Sequence, residues 1–212
     1  MFLSQLILNE QARKVQRDLG NAHHLHRQIM QAFPDKATQH KHEDWYPRQE
    51  WHILFRQEPD SNIILVQSSI EPDWTHLPEK YLQQHITKPI HYVAEQFQSG
   101  RVLQFRLRAN PSKRDKETRK TVGLCKQVDQ LAWLERQSQR CGFQLHNTSI
   151  IPSPNVFGLK GKGSAPIRIK TVLYQGILQV TDAISFTETL CQGLGRGKSY
   201  GCGLLSVSRY LG

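Results

Sequence analysis

Residues 2 to 8 alternate in the manner of a half-buried strand, with Phe2, Ser4, Leu6 and Leu8 on one side and Leu3, Gln5 and Ile7 on the other. A basic stretch follows. Asn21 then reads as a helix N-cap, and Ala22, Leu25, Ile29 and Phe33 recur at spacings that keep one helical stripe apolar until Pro34 closes it. The polar, His-rich segment from Asp35 to Glu50 reads as a loop. Ile53 to Arg56 and Ile63 to Gln67 read as strands around the turn Pro59-Asp60-Ser61-Asn62. Leu77 to Ile86, lying between prolines, reads as a short helix, and His91 to Ala94 as a fourth strand.

The same order of elements then starts again beyond the turn chemistry of Gln98-Ser99-Gly100. Val102 to Ala109 is a strand, and Leu124, Val128, Leu131 and Leu134 mark an amphipathic helix that ends near Cys141 with Gly142 as its cap. Phe143 to Ile151 and Ile167 to Val180 are strand-like, Ala183 to Cys191 is a helix, and Gly203 to Tyr210 is a last strand. Two β-α-β-β-α-β series give an α+β fold class of tandem ferredoxin-like (RRM-like) domains, residues 1–97 and 101–212. Element order alone carries this reading, because no sequence repeat accompanies it.

Composition changes the picture in two ways. With 212 residues, 38% of them hydrophobic and spread along the chain, two small domains can each bury a core. No apolar run reaches the length of a membrane span, and MFLSQLILNE lacks the basic region and cleavage site of a signal peptide, so a cytoplasmic protein is expected. The four cysteines, Cys125, Cys141, Cys191 and Cys202, are widely spaced and form no metal knuckle or disulfide framework. The formal net charge of +10 points to a polyanionic partner. Its basic residues lie on strand-like and loop segments rather than on a basic amphipathic helix, which favours nucleic acid over a membrane surface.

Four segments carry candidate chemistry. In NAHHLHR, a cap at Asn21 places His23 in the first helical turn and His26 one turn later, on one side, with Arg27 four residues after His23. Two imidazoles at a helix N-terminus can serve one phosphodiester as proton acceptor and proton donor, a pair of tasks suited to a group titrating near neutrality. A metal would need a third ligand, to which the sequence does not point; neither a metal nor a nucleotide cofactor is expected. In FRLRANPSKR, Arg106 and Arg108 share one face of a strand, followed by Asn110 and Lys113. FGLKGKGSAPIRIK interleaves Lys160, Lys162, Arg168 and Lys170 with glycines, which fits either a flexible hairpin whose tip reaches a duplex groove or a loose loop. GLGRGKSYGCGLLS resembles a P-loop, but Gln192 stands where the first glycine is required and the segment follows a helix, so ATP or GTP binding is disfavoured. Its glycines expose backbone N–H groups beside Arg196, Lys198 and Ser199, donors for a phosphate backbone.

MFLSQLILN, NAHHLHR, FRLRANPSKR with LAWLERQ, QSSIEPDW from Gln67 to Trp74, and GLGRGKSYGCGLLSV together resemble the CasE-type repeat endoribonucleases of type I-E CRISPR systems. The resemblance spans most of the chain. It implies two ferredoxin-like domains, a CRISPR repeat stem-loop RNA as substrate, metal-independent cleavage at the base of the stem, and a product that stays bound within the crRNA complex Cascade, with its other subunits as partners. The family's catalytic histidine falls on His26; relatives often carry a tyrosine three residues earlier, where this chain has His23, a candidate for the second proton transfer. The assignment of acid and base stays open. Arg27 and the Gly193 to Ser199 backbone are candidates to hold the phosphate, and Arg106, Arg108, Asn110, Lys113, Lys160, Lys162, Arg168 and Lys170 to grip the stem. The alternative reading is a non-catalytic RNA-binding subunit.

Overall fold

The computed structural model describes residues 1–34, 47–151 and 153–211; most of the predicted His-rich loop lies outside them. The chain divides into two compact units, Met1–His91 with Val156–Arg168 and Ser199–Gly201, and Tyr92–Asn155 with Ile169–Lys198 and Cys202–Gly212. The expectation of continuous domains meeting at residues 98–100 differs from this division. Phe97 packs in the second core, and two later segments of the chain cluster with the first unit.

The first unit begins with β1 (Phe2–Leu8), α1 (Arg13–Leu19), α2 (Ala22–Met30) and α3 (Pro47–Glu50), followed by β2 (Leu54–Gln57), β3 (Ile63–Ser68) and β4 (Leu82–Pro89). Its antiparallel sheet has the order β2-β3-β1-β4, the ferredoxin-like arrangement in which the first strand sits between the third and the fourth. The alternation read in β1 holds, with Ser4, Leu6 and Leu8 buried toward the helices. Leu25, Ile29 and Phe33 face that sheet, and each fully buried aliphatic side chain contributes about 1.5–3 kcal/mol.

Two expectations are corrected here. Leu77 to Ile86 is not a helix: Leu82 onward pairs with β1 as an edge strand, from Leu8↔Leu82 to Phe2↔Pro89, and only a 3-10 turn at Trp74–His76 stands in the connection. Pairing with a ready strand edge outweighs local helix propensity, and Ile86 and Thr87 suit a pleated surface. The fourth strand therefore ends before His91, and Ala94–Phe97 forms a 3-10 turn. The basic stretch after β1 is helical as α1, where Val15 and Asp18 are buried. Lys14 Nζ lies 2.7 Å from the Asp18 carboxylate, which explains how so polar a segment docks.

The second unit comprises β5 (Val102–Ala109), the hairpin β6 (Ser112–Arg114) with β7 (Thr121–Gly123), α4 (Gln127–Arg140) and β8 (Phe143–Ile151). After β9 (Val156–Gly158) and β10 (Ile167–Ile169), a paired hairpin that clusters up to Arg168 with the first unit, the second unit resumes with β11 (Val172–Val180), α5 (Ala183–Gln192) and β12 (Leu205–Arg209). The sheet order β12-β5-β11-β8 repeats the ferredoxin-like arrangement, and the chain is a tandem ferredoxin-like α+β protein. Its core centres on Phe105, Leu107, Trp133, Tyr174 and Phe186. The apolar stripe expected on α4 is only partly its core face. Val128 is 69% exposed, whereas Trp133, Leu134 and Gln130 are buried, so aromatic volume rather than aliphatic spacing orients that helix. No helix among the described residues is long and apolar enough to cross a membrane.

Candidate active site

The first turn of α2 is shaped by one side chain. The Asn21 carboxamide oxygen accepts from the His23 backbone N–H at 3.1 Å, which satisfies an otherwise unpaired donor at the helix start. The same oxygen accepts from Leu159 N–H at 3.1 Å, and the Asn21 amide donates to the Leu159 carbonyl at 3.2 Å. Leu159 follows β9 directly, so the basic hairpin is bound to the histidine helix within the first unit.

His23 and His26 lie one turn apart on this helix and are both half-buried. The His23 ring nitrogen Nδ1 is sheltered from water and has no hydrogen-bond partner among the described residues. Burial, with the nearby positive charges of Arg27 and Lys160 and the neighbouring His24, holds the His23 pKa below its ordinary value of about 6.5. The His26 ring meets Tyr200 edge-on, with centroids 6.1 Å apart at 67°. Tyr200 belongs to the glycine-rich segment, whose residues Ser199–Gly201 cluster with the first unit. Lys160 and Arg27 thus lie near His23, and Tyr200, a residue that sequence reading missed, meets His26, while Ser199 is its chain neighbour in the same unit. An aromatic following Gly-Arg-Gly-Lys-Ser was the available signal.

His24 points to a different task. Its Nδ1 lies 3.8 Å from the fully buried carboxylate of Asp18, which also pairs with Lys14 and Arg17 and accepts from the Tyr81 hydroxyl at 3.3 Å. Lys14, Arg17, Asp18 and His24, with Arg27, Gln28 and Gln31, line a polar cavity of about 290 Å³ against α1 and α2. Arg27 is exposed beside it.

The remaining basic candidates divide by exposure. Lys160, Lys162 and Arg168 are exposed on the β9–β10 hairpin, and Lys170 just beyond it is half-buried. In the second unit Lys113 is exposed on β6 and Arg106 is half-buried on the sheet face opposite the core. Arg108 departs from the open cationic stripe expected of it. It is only 8% exposed, and its guanidinium donates to the Pro154 carbonyl at 2.9 Å and to the Thr171 hydroxyl at 3.5 Å.

The glycine-rich segment is held in place by its own contacts. Arg196 pairs with Asn110 through the main chain and donates to the Thr121 hydroxyl at 2.6 Å, while Lys198 Nζ donates to the Gln192 carbonyl at 2.7 Å. At Gly203 the backbone adopts φ +94°, and its N–H and C=O are held by Arg108 and Leu194. A side chain there would be strained and would meet the Leu194 carbonyl at 3.0 Å, so the glycine is required by the turn itself.

Comparison with known proteins shows the family of the chain. The family model described as CRISPR associated protein matches residues 1–209. The chain belongs to that family. Among its relatives, CRISPR-associated endoribonuclease Cse3 of Thermus thermophilus is 34% identical, over 98% of this chain and all of the relative. The CRISPR system Cascade subunit CasE of Escherichia coli K12 is 31% identical over 98% of this chain and 99% of its own length. A solved structure of Cse3 bound to a 19-nucleotide RNA superposes with a TM-score of 0.84 at 34% identity, covering 98% of this chain and all of that one. Against that family background the histidine helix and the hairpin docked on it are the natural candidates for the chemistry.

Proposed function

We propose that this chain is a metal-independent endoribonuclease that cuts the repeat hairpin of a CRISPR transcript and remains on the product as a Cascade subunit. The observation that carries the chemistry is the pair His23 and His26, one turn apart on a capped helix, with Arg27 and Lys160 beside them. The names of the relatives support the substrate and the assembly.

RNA cleavage by its own 2′-hydroxyl needs a proton acceptor for that hydroxyl, a proton donor for the departing 5′-oxygen, and positive charge at the phosphate. His23, kept neutral by burial and by the cations around it, suits the acceptor. His26 supplies the second transfer. Arg27 and Lys160 supply positive charge at the phosphate, and in-line attack yields a 2′,3′-cyclic phosphate and a 5′-hydroxyl. Lys162 and Arg168 on the hairpin are the candidates of the first unit for the stem, and Arg106 and Lys113 those of the second, each through phosphates and shape, since A-form RNA hides base edges in its narrow major groove.

A synthetic repeat hairpin tests this directly. Cleavage should persist in excess EDTA and disappear when the scissile nucleotide carries 2′-deoxyribose; loss with EDTA, or cutting of the deoxy substrate, overturns the mechanism. The pH profile follows from the same assignment. A base is active when unprotonated, and the His23 pKa lies below the ordinary histidine value, so the acid limb of the single-turnover rate should fall below about pH 6.5. His23→Phe should abolish that limb along with most of the rate; a limb centred well above that pH would assign the base elsewhere.

A further inference from the structure

Asn21 does more than cap a helix. A serine or aspartate at an N-cap would satisfy the His23 N–H equally well, yet this carboxamide faces both the N–H and the C=O of Leu159. Only an amide offers an acceptor and a donor in that spacing, as one peptide unit does to another across a sheet. The approach is close enough to restrict the hairpin as well: a Cβ at Gly158 would stand 3.0 Å from Asn21 Oδ1 and 3.2 Å from the His23 nitrogen. The hairpin backbone therefore sits against the first turn of α2, two residues from His23, and Lys160 is the next residue after the clamped Leu159.

We propose that Asn21 is a positioning residue that locks the β9–β10 hairpin to the histidine helix, so that the hairpin loop that carries Lys160 and Lys162 to the RNA is indexed to the imidazole of His23. The proposal rests on the nuclease reading above and adds to it a coupling between substrate grip and proton transfer. The hairpin carries exposed lysines and no large core of its own; Val156 is its one buried hydrophobic anchor among the described residues. Without the clamp, Lys160 would no longer hold a fixed distance from His23. Its charge is one of the influences that keep that imidazole neutral, after burial and Arg27.

Two substitutions release the hairpin without removing the helix cap or either histidine. Asn21→Ser keeps an acceptor for the His23 N–H but cannot reach Leu159; Gly158→Ala pushes the hairpin away from an intact Asn21. Both variants should keep the far-UV circular dichroism of the wild type. Each should cut the repeat hairpin about tenfold to hundredfold more slowly in single turnover, as expected of a small misplacement at a reacting group. Affinity for the uncleavable 2′-deoxy hairpin should change by less than about threefold, a loss in the transition state rather than in binding.

The coupling itself is read on the free protein by NMR titration of His23. Its midpoint should rise in Asn21→Ser and in Gly158→Ala. Lys160→Gln should raise it in the wild-type background and add nothing in Asn21→Ser, since interacting pairs are non-additive. An unmoved midpoint, or fully additive effects of Asn21→Ser and Lys160→Gln, overturns the proposal. If the titrations behave as expected while the wild type leaves repeat RNA uncut, the nuclease reading falls and the mechanical coupling stands.

Discussion

Replacing His26 with alanine is expected to slow single-turnover cleavage of the repeat hairpin by about 10²–10⁴-fold, the range typical for loss of a positioned proton-transfer group. Binding of the 2′-deoxy hairpin should stay within about twofold of wild type, because lysine and arginine contacts to phosphates dominate nucleic-acid affinity and the substitution removes none of them. The substitution is mild for the scaffold. His26 is half-buried on α2, its neighbours Leu25 and Ile29 provide the core contacts, and alanine is the best helix former. What is lost is the ring that meets Tyr200 edge-on and the nitrogens that can hold a proton beside the phosphate. Unchanged cutting with His26→Ala would remove the proposed mechanism and leave the non-catalytic RNA-binding subunit as the better account. A parallel fall in affinity and rate would instead make His26 a binding residue.

The largest expected effect on stability comes from Trp74→Ala, at about 3–5 kcal/mol. Trp74 is 4% exposed and packs edge-on against Phe33, just past the end of α2, with ring centroids 6.2 Å apart. Its indole N–H donates to the hydroxyls of Ser4 on β1 at 3.1 Å and Thr87 on β4 at 3.2 Å, so one side chain ties the connection after β3 to two neighbouring strands. Truncation leaves a cavity under the histidine helix, and the two hydroxyls keep only their mutual hydrogen bond at 2.9 Å. Trp74→Phe separates the two contributions: it retains most of the aromatic volume and should cost only about 1–3 kcal/mol, mainly through the lost N–H donor. Urea unfolding reads both values. A Trp74→Ala protein within about 1 kcal/mol of wild type would mean that the first core is not organised around this residue.

The contrast between these two residues shows what a sequence can disclose. The spacing of NAHHLHR predicts the cap at Asn21, the helix and the shared side of His23 and His26, and the structure has all three, because capping and helical periodicity act within a few residues. The segment holding Trp74 could be noticed as QSSIEPDW, but its role could not: Ser4 and Thr87 are distant in sequence and meet the indole only after β1 and β4 have paired. The helix expected over Leu77 to Ile86 overlaps the first half of β4, whose polar residues show neither clear period and whose identity comes from the edge of β1 that it covers. Arg108 illustrates the same limit from the other side. Its strand face was legible, yet its burial and its bonds to Pro154 and Thr171 were not.

By itself, then, the order of amino acids determined the strands and helices that obey a simple period, the tandem ferredoxin-like order, the positive charge and the paired imidazoles. Tertiary structure alone decided which cations remain exposed, which ring meets His26, and how Asn21 joins the hairpin to the helix. The reason is range: periodicity and capping are set by neighbours within about one or two turns of chain. The Asn21–Leu159 and His26–Tyr200 contacts, by contrast, join segments that approach only when the sheet has closed its order and the glycine-rich turn has folded back.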